Sequence, residues 1–176
     1  MIDTMLRSAI RDVADFPKPG IIFKDITPIL QDAELCDQII ETFVVRLQDI
    51  SFDAIAGVES RGFLFGLMLA NRLGIPFIPI RKAGKLPYRT VRQSYELEYG
   101  TATIEVHADA FKTGTKVLLH DDLLATGGTI AAASQLIEKL GGNIAGYCFV
   151  ISLDFLEGRK RLELFSDKLV SLVNYQ

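Results

Sequence analysis

Residues 117–129 read VLLHDDLLATGGT: an apolar run, two adjacent acids and a small, glycine-rich turn. The apolar run favours a buried strand, and the spacing of apolar residues in Gly128–Leu140 favours a helix that starts directly after the turn. Free backbone N–H groups and the dipole at the start of such a helix attract an anion. The stretch therefore predicts a phosphate-binding turn at the carboxyl end of a parallel strand, where open α/β sheets bind ligands.

The side chains of the turn also suit a phosphorylated sugar. Asp121 and Asp122 would accept hydrogen bonds from sugar hydroxyls or from a hydrated Mg²⁺ ion. The alternative is an ordinary strand-to-helix turn whose exposed acids cap the helix, but two acids, two threonines and two glycines within nine residues argue against it. The chain has neither a Walker GxxxxGK[ST] loop nor a GxGxxG motif after a strand.

Strand–helix alternation surrounds this turn. The predicted order is strand Asp53–Val58, helix Arg61–Leu73 and strand Pro76–Ile80, and later strand Lys116–Asp121, helix Gly128–Leu140 and strand Ile144–Ser152. Two such units predict an α/β fold with a mostly parallel sheet flanked by helices.

The remaining segments have other patterns. Residues 1–16 are predicted to form an amphipathic helix that ends at two prolines, and Ala33–Asp49 a second helix. Ser94–Tyr99 and Thr101–Val106 alternate like the strands of an antiparallel hairpin.

Composition narrows the class of protein. A chain of 176 residues with 49% hydrophobic residues predicts a single folded domain. Two cysteines give no disulfide framework, which indicates a reducing compartment such as the cytoplasm. A net charge of −3 argues against nucleic-acid binding, and the longest apolar stretches are too short to span a membrane. The N-terminus lacks the apolar core of a signal peptide.

The segment His120–Thr129 resembles the phosphoribosyl-diphosphate signature of type I phosphoribosyltransferases. Four further segments, in order, make nearly the whole chain similar to the adenine phosphoribosyltransferase family: Asp15–Ile26, Glu59–Phe63, Arg81–Pro87 and Tyr95–Gly100. Two residues depart from the family pattern. His120 stands where an aliphatic residue is usual, and Glu59 where an Asp is also common.

The resemblance implies Mg²⁺-dependent transfer of phosphoribose from 5-phosphoribosyl 1-diphosphate to N9 of adenine, giving AMP and diphosphate. It implies the type I fold in one domain, residues 1–176, with a small N-terminal hood at 1–30 and an α/β core at 31–176 that carries a flexible hairpin lid at about 81–106. It also implies a cytoplasmic homodimer with no nucleic-acid or membrane partner, whose Mg²⁺ is held by substrate and water rather than by the protein.

The resemblance further implies a role for individual residues. The 5′-phosphate would bind to Ala125, Thr126, Gly127, Gly128 and Thr129, and the ribose to Asp121 and Asp122. The diphosphate would bind to Ser60, Arg61, Lys82 and Lys85, with Arg61 catalytic through its contact with the leaving group. Adenine would stack between Phe23 and Leu156 and hydrogen-bond the backbone of Ile22 and Lys24.

Two of these roles also have support from the residues themselves. A cation at the start of a predicted helix is at the unfavourable end of the dipole, so a bound anion explains Arg61 better than an ordinary surface position. The segment Arg81–Arg92 has five basic residues and no acid. Its alternative is a solvated face, but Gly84 and Pro87 favour a mobile cationic lid that excludes water, with diphosphate as its only plausible counter-charge.

Glu98 matches the family's proposed general acid/base near N7 of the purine. Glu96 lies two residues earlier and would share a strand face with it, so periodicity does not choose between the two. The motif selects Glu98, and a solvated hairpin carboxylate is the alternative.

Two other functions fit the same fold class. A regulator that only senses phosphoribosyl diphosphate would carry a DNA-binding segment and a basic surface, and the sequence has neither. A hypoxanthine/guanine or xanthine enzyme would hold a 6-oxo base with a lysine after the phosphate loop and would lack the hood.

Overall fold

The computed structural model of the protein describes residues 1–97 and 100–176. In chain order its elements are α1 (Ile2–Ala9), β1 (Arg11–Ala14), β2 (Ile22–Asp25), α2 (Thr27–Leu30), α3 (Ala33–Arg46), β3 (Ala54–Val58), α4 (Gly62–Leu73), β4 (Phe77–Lys82), β5 (Thr90–Glu96), β6 (Thr101–His107), β7 (Lys116–Leu124), α5 (Gly128–Lys139), β8 (Asn143–Leu153), a 3₁₀ turn (Asp154–Leu156), α6 (Gly158–Leu162) and β9 (Leu169–Tyr175). None of the described helices is long and apolar enough to cross a bilayer.

Seven strands form one twisted sheet in the order β5-β6-β4-β3-β7-β8-β9. The five strands β4, β3, β7, β8 and β9 are parallel to one another. Strand β6 pairs antiparallel with β4 and forms a hairpin with β5. One apolar core lies between the sheet and α1, α3 and α4, and a second lies on the other face beneath α5. The predicted fold class is confirmed.

The central position of β3 and β7 places the site. The two strands pair in parallel, with Gly57 opposite His120, so both end at the same edge of the sheet. The segments that follow them, Glu59–Arg61 and Ala125–Gly127, therefore lie side by side.

The structure differs from the sequence-based expectation near both ends of the chain. The helix predicted over residues 1–16 stops at Ala9, and Arg11–Ala14 instead pairs antiparallel with Ile22–Asp25. Local periodicity did not indicate this pairing because the ladder depends on a partner strand beyond the two prolines. The edge strand Leu169–Tyr175 and the short helix before it were not predicted at all.

Two predicted boundaries also shift around the site. Strand β7 continues past Asp121 to Leu124, because its ladder with β8 runs as far as Ser152. The basic segment Arg81–Arg92 is not one loop, since its first two residues belong to β4 and its last three to β5.

His120 is buried in the first core directly behind the candidate site. Its ring packs edge-on against the Phe43 ring, with 5.8 Å between the ring centroids, and its Nδ1 lies 3.0 Å from the Cys148 carbonyl oxygen. Its Nε2 is buried and has no hydrogen-bond partner within the described chain. Burial lowers the pKa of His120 to about 4, although the hydrogen bond to Cys148 opposes the shift.

Replacing His120 by leucine should flatten the pH dependence of stability. Between pH 6.5 and about 4 the unfolded histidine takes up a proton and the folded one does not. The wild-type free energy of unfolding should therefore fall by about 3 kcal/mol more than that of His120→Leu as the pH drops through this window. Urea unfolding at pH 4 to 7.5 measures the difference. A slope in His120→Leu equal to that of the wild type would contradict the prediction.

Candidate active site

The turn between β7 and α5 forms a cradle with unfilled backbone donors. The five residues predicted to hold the 5′-phosphate, together with Asp121, line one cavity of about 90 Å³. Gly127 is the N-cap of α5 with φ +76°, and no side chain caps the helix. An anion in the cavity would accept hydrogen bonds from the N–H groups at the start of the helix.

The first residue of α6 fixes the shape of this cradle. A Cβ atom at Gly127 would lie 2.7 Å from the Gly158 carbonyl oxygen, and a Cβ atom at Gly158 would collide with the Ala125 carbonyl oxygen. Both positions therefore require glycine. Leu156 lies two residues before Gly158, is 39% exposed, and is tied to the phosphate turn by this contact.

The acid pair lies inside β7 and is not an exposed helix cap. The Asp122 side chain is only 2% exposed and lies 3.1 Å from Arg61 Nε. Asp121 is half-buried, and its Oδ1 accepts the backbone N–H of Asp122 at 2.8 Å. Burial raises the pKa of both carboxyls; the charge of Asp122 raises that of Asp121 further, and Arg61 opposes the rise in each.

Arg61 connects three predicted subsites. Its guanidinium contacts the ribose acid Asp122 and also lies over the Phe23 ring, 4.9 Å from the centroid. The structure thus brings together the residues predicted for ribose, diphosphate and adenine. The next residue, Gly62, allows this approach, since a Cβ atom there would come within 3.0 Å of Asp121 Oδ1. The peptide bond between Glu59 and Ser60, which lies just before Arg61, is cis.

The other residues predicted for adenine lie on β2. Ile22 is 57% exposed, and the Phe23 ring meets Phe16 edge-on at 5.1 Å. The Lys24 side chain pairs with Asp12 at 2.7 Å, which leaves its backbone as the part predicted to meet a base. The general acid/base candidate Glu98 lies outside the described residues.

The prediction that diphosphate is the only counter-charge for Arg81–Arg92 is wrong. Arg81 Nε lies 3.1 Å from Glu59, and Arg92 Nε lies 3.0 Å from Glu105. These acids come from β6 and from the end of β3, so the composition of the basic segment alone did not reveal them. Among the described residues neither Lys82 nor Lys85 has a salt-bridge partner, and both are exposed.

Sequence reasoning missed two neighbours of the phosphate turn. Arg161 Nη1 lies close over Gly128, only 3.1 Å from where a Cβ atom would be. Tyr95 on β5 accepts a hydrogen bond from the Thr129 hydroxyl at 3.2 Å. Both line a cavity of about 700 Å³ that extends from the turn towards Glu96. The run of basic residues after Gly158 was the local sequence feature that could have indicated a cation near the phosphate turn.

Comparisons with known proteins point to one family. A family model described as the phosphoribosyl transferase domain matches residues 25–172. The adenine phosphoribosyltransferase of Cytophaga hutchinsonii is 53% identical over 175 residues, covering 99% of this chain and 97% of that protein. This chain belongs to the adenine phosphoribosyltransferase family. The Vibrio cholerae family member is 49% identical over 173 residues, 98% of this chain and 96% of its own.

Solved structures of the adenine phosphoribosyltransferase family share the whole fold. The Thermoanaerobacter pseudethanolicus enzyme has a TM-score of 0.95 at 48% identity, covering 99% of this chain and all of that one (100%). The Saccharomyces cerevisiae enzyme, solved with adenine and an imino-altritol bisphosphate, has a TM-score of 0.90 at 39% identity, covering 97% and 98% of the two chains. The family predicted from the sequence motifs is confirmed.

Asp121→Asn should stabilise the ligand-free protein. Because the folded pKa of Asp121 is raised, the stability that its protonated form contributes is lost as the pH rises through that pKa. At neutral pH the neutral amide should therefore raise the free energy of unfolding by about 1–2 kcal/mol. Urea unfolding measures this, and Asp49→Asn on the exposed surface is the matched control. A less stable Asp121→Asn protein would show that the carboxyl pair is not under electrostatic stress.

Proposed function

We propose that this enzyme transfers phosphoribose from 5-phosphoribosyl 1-diphosphate to N9 of adenine and forms AMP and diphosphate, a step of purine salvage. One observation carries the proposal: Arg61 touches both the acid beside the phosphate turn and the aromatic ring on β2. A sugar phosphate in the turn would therefore have a flat aromatic surface within reach of its anomeric carbon. The adenine in the related yeast structure supports the choice of base.

The proposed substrate contacts follow the subsites. Ala125–Thr129 hold the 5′-phosphate through backbone N–H groups and hydroxyls, and Asp121 and Asp122 accept the ribose hydroxyls. Asp122 and Arg61 neutralise each other in the absence of substrate. When substrate binds, the ribose hydroxyls donate hydrogen bonds to the Asp122 carboxylate, and the diphosphate pairs with the Arg61 guanidinium. Arg161 adds positive charge beside the phosphate turn.

Charge separation dominates the proposed transition state. The bond from C1′ to the diphosphate oxygen breaks while the bond from N9 forms, and the ribose becomes cationic as the diphosphate leaves. Ser60, Arg61, Lys82 and Lys85 stabilise the departing negative charge, and the acid pair stabilises the ribose. Adenine attacks through the N9 lone pair as its N7–H tautomer, and the Glu98 carboxylate accepts the N7 proton as the C1′–N9 bond forms.

Residues 1–30 act in this proposal as the hood that selects the base, and residues of about 81–106 as the lid. Phe23 stacks on one face of adenine and Leu156 packs on the other. The backbone of Ile22 and Lys24 reads the edge of the base. A backbone reader needs a fixed main chain, which the β1–β2 pairing provides.

Mg²⁺ belongs to the proposal through the substrate. No cluster of three or more His, Cys, Asp or Glu side chains among the described residues could hold a metal alone. Asp122 Oδ2 is buried, forms no hydrogen bond within the described chain and lies 3.1 Å from Arg61 Nε. Once Arg61 turns to the diphosphate, the acid pair would accept hydrogen bonds from the water shell of a divalent cation. When bound, the ion neutralises the diphosphate oxygens.

We further propose a cytoplasmic homodimer. Helix α4 exposes Leu64, Leu67 and Met68, which share one face at helical spacing and form an apolar stripe suited to a second copy of the chain. Both cysteines are free and buried, as suits a reducing compartment. Light scattering should give twice the chain mass.

The function is tested by measuring AMP from adenine and phosphoribosyl diphosphate with Mg²⁺. Hypoxanthine, guanine and orotate serve as competing bases. We expect adenine to be the only one of these bases that is converted to its nucleotide. Equal use of a 6-oxo base would reject the proposed role of the hood, and binding of phosphoribosyl diphosphate with no turnover would favour a sensor.

Glu98→Ala should lower kcat about 10²–10⁴-fold with a smaller rise in the KM for adenine, because proton transfer is needed only in the transition state. Glu96→Ala is the matched control two residues away and should stay close to wild type. An effect confined to KM would make Glu98 a binding residue. A larger kcat loss in Glu96→Ala would transfer the acid/base role to that residue.

A further inference from the structure

A buried carboxylate outside the assigned site lies between the two ends of the basic segment. Glu105 is in β6, which pairs with β4 on one side and β5 on the other. The strand register places it directly opposite Arg81 in β4 and Arg92 in β5. Its side chain is 0% exposed, whereas glutamates are almost never fully buried unless they are paired.

Four donors from the basic segment converge on this carboxylate. Oε1 accepts the backbone N–H groups of Lys85 and Leu86, both at 3.0 Å. Oε2 accepts the Thr90 hydroxyl at 3.2 Å and Arg92 Nε at 3.0 Å. Hydrogen bonds to an ionised acceptor are stronger than those to a neutral one. These four contacts therefore hold the loop and the start of β5 to the Glu105 carboxylate.

The hydrogen bonds also keep Glu105 charged. Burial alone would raise the pKa of its carboxyl, but the bonds from Leu86, Arg92, Lys85 and Thr90 outweigh burial and leave that pKa below its usual value. The acid is therefore ionised at neutral pH. Its desolvation is compensated only while the loop keeps this conformation.

Lys85 is held from both sides of its backbone. Its N–H donates to Glu105, and its carbonyl oxygen accepts from Arg81 Nη1 at 3.2 Å. Arg81 is itself fixed by Glu59, which also accepts the Lys82 backbone N–H at 3.1 Å. Only the exposed side chain of Lys85 is left to reorient.

We propose that Glu105 is a positioning residue for the transfer reaction. It fixes the backbone at Lys85 before substrate arrives, so that the Lys85 ammonium meets the diphosphate without a prior ordering of the loop. Preorganisation of this kind lowers the entropic cost of binding. The inference rests on the proposed diphosphate role of Lys85 and extends it, because Glu105 is buried and does not touch the substrate.

Glu105→Gln tests the inference with little change in shape. The glutamine carbonyl can still accept from the loop backbone, but its NH₂ group would face Arg92 Nε, and the charge is lost. Amide exchange in the peptide spanning residues 83–92 should become about tenfold faster. The KM for phosphoribosyl diphosphate should rise by about tenfold, the range expected for one hydrogen bond to a charged group. The kcat and the KM for adenine should stay within about threefold of wild type.

Glu41→Gln is the matched control, since Glu41 also binds an arginine, Arg72, at 2.7 Å but on the exposed surface. It should change neither the exchange nor any KM. Thr90→Val removes one of the four donors without altering charge and should show a smaller effect in the same direction, which keeps the test decisive if Glu105→Gln does not fold.

Unchanged exchange in residues 83–92, or equal losses for both substrates, would overturn the positioning role. The proposed function fails in a different way. A wild-type protein that forms no AMP would refute it, while the exchange measurement would still show whether Glu105 holds the loop.

Discussion

The parallel pairing of β3 with β7 places the ends of these strands beside each other, and the meeting of Arg61 with the acid pair beside the phosphate turn depends on that adjacency. Gly62 at the start of α4 comes against Asp121 because it has no side chain. Arg61 can then reach Asp122 and Phe23 together. A larger residue at position 62 would separate the helix from the strand and with it the arginine from both partners.

Two arrangements of charge coexist at this edge of the sheet. Asp121 and Asp122 are adjacent and partly desolvated, so their ionised forms are disfavoured, and Arg61 offsets only part of this cost. Glu59 and Glu105 are fully supplied with donors and are stable as anions. The first arrangement suits a site that binds and releases a ligand, and the second suits a fixed support.

How much the sequence could predict depended on the range of the interactions. The phosphate turn is local: an apolar run, two acids and two glycines identify it without the rest of the chain. The ionic partners of Arg81 and Arg92 are non-local, since Glu59 and Glu105 become neighbours only when β3, β4, β5 and β6 align. The strand at Arg11–Ala14 was missed for the same reason.

The contact of Gly158 with the turn at Ala125–Gly127 limits how the site can be redesigned. The phosphate cradle and the loop that carries Leu156 share one backbone junction with no space for a side chain. Under the proposed function, attempts to change the preferred base by inserting or deleting residues between Leu156 and Gly158 would also deform the cradle. Base preference is more safely engineered by side-chain exchange at Leu156 itself, with the chain length after it kept constant.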